Sequence, residues 1–66
     1  MPYTTNDDLP PSVRDRLPPH AQDMFREAFN HAYARYQGDE VVAFRIAWSA
    51  VKRRYEKIEG RWVPRL

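Results

Sequence analysis

Sixty-six residues with a net charge of +2 and no cysteine exclude a disulfide framework and a thiolate metal site. They leave room for one small core worth about 3–5 kcal/mol of net stability. The nine aromatic residues must supply much of that core, which leaves little space for an enclosed active site. The longest apolar run, "VVAF", is far short of the roughly 20 residues a membrane span needs, and "MPYTTNDDLPP" lacks the pattern of a secretion signal. A soluble, unprocessed, cytoplasmic chain with one domain over residues 1–66 is expected.

Two copies of Leu-Pro-Pro, at residues 9–11 and 17–19, punctuate the first part of the chain. A proline pair inside a helix deletes hydrogen bonds and clashes with the preceding turn, but proline suits a helix's first position, so each copy predicts a helix start. The first helix, over "PPSVRDRL" with Asp7 or Asp8 as cap, makes about two turns and places Leu9, Val13 and Leu17 on one face. In the second, Ala21, Met24, Phe25, Ala28, Phe29, Ala32, Tyr33 and Tyr36 keep the helical period until Gln37 and Gly38 end it. Asp39 caps a third helix, in which Val41, Phe44, Ala47, Trp48, Val51, Tyr55 and Ile58 repeat with the same period and which Gly60 ends. So short a connection makes the two long helices an antiparallel hairpin, and Ala28, Ala32, Ala43, Ala47 and Ala50 allow their close approach. "PYTT" and "RWVPR" favour extended structure and are expected to pair with each other, Pro64 keeping its strand at an edge. The expected fold is mainly α: a short N-terminal helix on a hairpin of two long helices, with a two-stranded β ribbon joining the chain ends.

"MPY", "DLP", "LP" followed by "HAQ", "EAFNHAY", "AWSAVK" and a final Tyr, Lys, Gly and Trp stand in an order and spacing that resemble the ChaB family. These are small bacterial proteins grouped as cation transport regulators. The resemblance spans essentially the whole chain. It implies regulatory contact with a membrane cation/proton antiporter; some relatives also join such a segment to a domain similar to the nucleic-acid-binding part of the transcription terminator Rho. One departure is the connection "YQGDEVV", where ChaB sequences carry a longer, charge-rich loop, so no function lodged in that loop is implied for this chain.

Candidate chemistry is sparse. His20 with Asp23 and His31 with Glu27 have same-face spacing, but no three- or four-ligand metal pattern is present, and no metal or other cofactor is expected. Ser12 and Ser49 lack a nucleophile setting, and two glycines cannot build a phosphate-cradling loop, so no catalytic residue is assigned and no enzyme is expected. Charge is the stronger signal. Residues 1–38 hold four Arg against five acids, and residues 39–66 hold seven Lys and Arg against four. Arg45, Lys52, Arg53, Arg54, Lys57 and Arg61 form the candidate binding set, with Tyr55 and Trp62 at its edge for apolar contact. Such a stripe is the footprint of a phosphate-backbone binder, and equally what a solvated helix C-terminus favours. Tyr33, Tyr36 and Trp62 are candidates for a partner surface. Two functions stay open: a non-enzymatic regulatory module contacting a protein, such as an antiporter's cytoplasmic face, and a weak, sequence-nonspecific nucleic-acid binder.

Overall fold

The structure, a computed structural model, describes residues 2–66. A 3-10 turn, Asn6–Asp8, leads into α1 (Pro11–Arg14), α2 (Pro19–Arg35) and α3 (Glu40–Arg54), followed by β1 (Tyr55–Ile58) and β2 (Arg61–Pro64). Both proline pairs start helices as expected: Pro10 and Pro18 are the N-caps, Pro11 and Pro19 the first helical residues. Neither start has a side-chain cap, so ring-fixed φ and the absent N–H do that work. Asp8 caps the preceding turn instead, its Oδ2 accepting from the Thr5 N–H at 3.2 Å. α1 is one turn rather than two. Its end is held by Gln22, whose Nε2 donates to the carbonyls of Arg14 (2.9 Å) and Leu17 (2.8 Å).

Leu9, Val13 and Leu17 are buried with Ala21, Phe25, Phe29 and Ala32 of α2, Ala43, Ala47 and Val51 of α3, and Tyr55. The buried stripe of α2 carries two phenyl rings and that of α3 mostly alanine, so large faces small and the helix axes can approach. Phe25 then meets Phe44 and Trp48 edge-on at 5.2 and 5.3 Å, the geometry aromatic quadrupoles favour. Between the helices, the Gly38 N–H donates to the Tyr33 carbonyl at 2.8 Å. The left-handed turn takes in Gln37 (φ 58°) as well as Gly38 (φ 80°). Asp39 caps α3 as expected, its Oδ1 accepting from the N–H groups of Val41 and Val42 at 3.1 and 3.2 Å.

Two expectations are corrected at the chain ends. The ribbon exists, but its strands are β1 and β2, antiparallel with Lys57 opposite Trp62 and Ile58 opposite Arg61. Gly60 therefore does not end a helix. Glu59 (φ 52°) and Gly60 (φ 79°) form the two-residue turn whose positive φ values suit the twist of a hairpin. Helical spacing counted Ile58 as core, yet it is 49% exposed, because in a strand it points away from the face that buries Tyr55. The N-terminal segment is bound to α2: the Tyr3 N–H donates to Asn30 Oδ1 and Asn30 Nδ2 donates to the Tyr3 carbonyl, both at 2.7 Å. Val41, another expected core residue, is 70% exposed.

A basic groove lined by two tryptophans

The hairpin carries Trp62 back over α3, where its ring lies 5.6 Å from that of Trp48. Arg65 fixes this return. Its N–H donates to the Arg54 carbonyl at 2.7 Å and its Nε to the Lys52 carbonyl at 2.9 Å, while Nη1 lies 3.7 Å from Glu56 Oε1. These contacts satisfy carbonyls at the negative end of α3. Two adjoining clefts open beside the ring pair. One, of about 530 Å³, is lined by Asp15, Arg16, Lys57, Gly60, Arg61, Trp62 and Val63; the other, of about 360 Å³, by Ser12, Arg16, Trp48, Lys52, Lys57 and Trp62. Arg16, Lys57 and Trp62 are common to both, so the clefts form one groove between α1, α3 and the hairpin.

Four cations, Arg16, Lys52, Lys57 and Arg61, thus surround two half-buried indoles. Among the described residues, none of these four side chains makes a hydrogen bond or ion pair. The acid in the groove's lining, Asp15, is held by Arg14 Nε at 3.2 Å. Cations gathered this way repel one another, and an acidic group brought to an apolar wall between them gains from every charge.

The expected basic stripe is divided by the fold. Lys52, Lys57, Arg61 and Trp62 are brought together, and Arg45 lies farther along the same flank of α3 against Glu40, Val41 and Phe44. Arg53 faces the opposite side, beside Met24, Glu27, His31 and Ile46. Arg54 is exposed and lines none of these clefts. Tyr55 is a correction: expected at the edge, it is buried, and its hydroxyl lies 3.1 Å from His20 Nδ1. Arg16 was missed because its place beside the hairpin is a tertiary fact, and nothing in "VRDRL" signals it. Tyr33 packs half-buried on Phe29, whereas Tyr36 is exposed with the Arg35 guanidinium 5.9 Å from its ring.

The histidines do not form the pairs their spacing allowed. Asp23 accepts from Asn6 Nδ2 at 2.7 Å and lies 3.8 Å from Arg26 Nη2, so it is not His20's partner. Among the described residues no group of three His, Cys, Asp or Glu side chains is placed to hold a metal ion, and no helix is long and apolar enough to cross a membrane.

The residues that carried the family resemblance mostly build this scaffold. Leu9 and Pro10 of "DLP" are a core residue and a helix cap. Ala21 of "HAQ" is core, and Gln22 closes α1. Phe29 and Asn30 of "AFN" pack the interior and hold Tyr3. The protein named "Putative cation transport regulator ChaB" in Escherichia coli (strain K12) is 46% identical over 66 residues, covering 86% of this chain and 87% of that protein. "Uncharacterized protein in LEF8-FP intergenic region" of Lymantria dispar multicapsid nuclear polyhedrosis virus is 35% identical over 51 residues, covering 77% and 72%. A solved structure titled "NMR solution structure of the putative cation transport regulator ChaB" matches with a TM-score of 0.86 at 41% identity, covering 98% of this chain and 100% of that one. With the family model named ChaB matching residues 9–65 as well, a fold shared end to end and a sequence that agrees at its scaffold positions place this chain in the ChaB family.

Proposed function

We propose that residues 1–66 act as one non-enzymatic, cytoplasmic binding unit that regulates a cation transport system by docking an acidic segment of a transport protein. The cytoplasmic face of a cation/proton antiporter is the partner that this reading favours. One observation carries it: four cations without partners among the described residues converge on the Trp48–Trp62 pair. Aromatic rings beside Arg and Lys supply apolar contact and charge together, the usual make-up of an interface anchor. Lys52, Lys57, Arg61 and Trp62, with Arg16, form the contact; Arg45 extends it, and Arg53 and Arg54 add only to the surrounding field. The Escherichia coli relative is named as a cation transport regulator, which favours a transport protein over nucleic acid as partner.

The test is retention of detergent-solubilised membrane proteins on the immobilised chain at about 50 and 200 mM salt, a range over which screening rises. The parent is expected to retain a cation/proton antiporter at the lower salt and release it at the higher. The Lys52→Gln, Lys57→Gln, Arg61→Gln variant should retain none. Recovery of no transporter at low salt, or equal retention by the variant, would overturn the reading.

A further inference from the structure

Resting on that reading, we infer that the docked segment is a short amphipathic helix with one acidic margin, lying along α3 from the groove to Val41. At 100° per residue, Phe44, Trp48, Val41, Lys52 and Arg45 leave α3 within one sector about 100° wide. That sector flanks the buried stripe of Ala43, Ala47 and Val51. From Val41 to Lys52 it runs about 16 Å, and the groove continues it.

Its apolar part ends in a shallow cleft of about 350 Å³ lined by Glu40, Val41, Phe44 and Arg45. Val41 is 70% exposed there. Trp48 and Trp62 supply apolar surface at the other end. Arg45, like the four groove cations, makes no hydrogen bond or ion pair among the described residues. Arg45 and Lys52 border the apolar surface along one side, with Glu40 on the other at its far end, so its complement is an apolar stripe whose Asp and Glu lie along the Arg45–Lys52 side.

The backbone of the site argues for a helix over an added strand. The β2 positions whose backbone faces the free edge are Trp62 and Pro64, and proline has no N–H, so a strand laid on that edge would find a single donor. A helical flank with side chains at i, i+3, i+4 and i+7 accepts the ridges of a second helix instead.

Two synthetic peptides of about 14 residues, long enough to cover the flank, test this on the full chain. They share one composition of Leu, Glu and Ala; one has Leu at i, i+3, i+4 and i+7, the other is scrambled. Polyglutamate and a mixed-sequence oligonucleotide complete the set. The amphipathic peptide should bind about tenfold more tightly than the scrambled one and gain helicity by circular dichroism. It should also shift the NMR signals of Val41, Phe44, Trp48 and Trp62. Val41→Gln, an uncharged change at an exposed site, should weaken it about tenfold and leave polyglutamate binding unchanged. Equal binding of the scrambled peptide and polyglutamate, with shifts confined to Arg16 and residues 52–61, would overturn the helix and leave the groove reading standing. Binding by no acidic probe, or preference for the oligonucleotide, would overturn both.

Discussion

Asn30 shows how one side chain replaces a strand partner. Its amide both accepts from and donates to the backbone of Tyr3 at 2.7 Å, and this holds the Tyr3 ring 4.7 Å from Phe29. Burial raises the pKa of the Tyr3 hydroxyl, and the charge of Glu40 raises it further. A phenol whose pKa is higher in the folded state than in the unfolded one binds its proton more tightly when folded. Its stabilising contribution is therefore complete below about pH 10 and is lost as pH rises from there through the folded value. Urea titrations between pH 9 and 11 should show the parent losing stability more steeply above about pH 10 than Tyr3→Phe. Parallel profiles would mean that Tyr3 titrates as it does in the unfolded chain.

The β1–β2 hairpin depends on its turn. A Cβ added at Gly60 would meet nothing within 4 Å, so the cost of Gly60→Ala comes from its φ of 79° alone and should be about 1–2 kcal/mol. Glu59→Asn places a residue that tolerates positive φ at the other turn position and should stabilise by about 0.5–1 kcal/mol. Chemical denaturation of both variants checks the signs; a stabilising Gly60→Ala or a destabilising Glu59→Asn would contradict this turn. The helices were legible in the sequence because their apolar period repeats over many residues and proline, Asp39 and Gly38 mark their ends. The hairpin was not. Val51, Tyr55 and Ile58 extend the helical period, each strand is only four residues long, and Tyr55 points inward in either conformation. Arg16 was hidden for a different reason: α1 meets the hairpin only through tertiary packing, which no local spacing encodes.

Across the whole molecule, most of the polar side chains that bond to distant parts of the chain, Asn6, Gln22, Arg26, Asn30 and Arg65, belong to the scaffold. Arg16, Lys52, Lys57 and Arg61 do not. On the proposed reading, the groove's cations serve a partner and contribute nothing to folding. Surface changes that break no contact alter stability by about 0.5 kcal/mol or less, and here they also relieve repulsion between like charges. The most direct measurement is a urea titration of the parent beside the Arg16→Gln, Lys52→Gln, Lys57→Gln, Arg61→Gln variant at low salt. The expected result is a midpoint equal to the parent's or slightly higher, with an unchanged slope. A midpoint lowered by more than about 1 kcal/mol in equivalent stability would show that these cations help hold the fold, and would contradict the assignment of the groove to a partner.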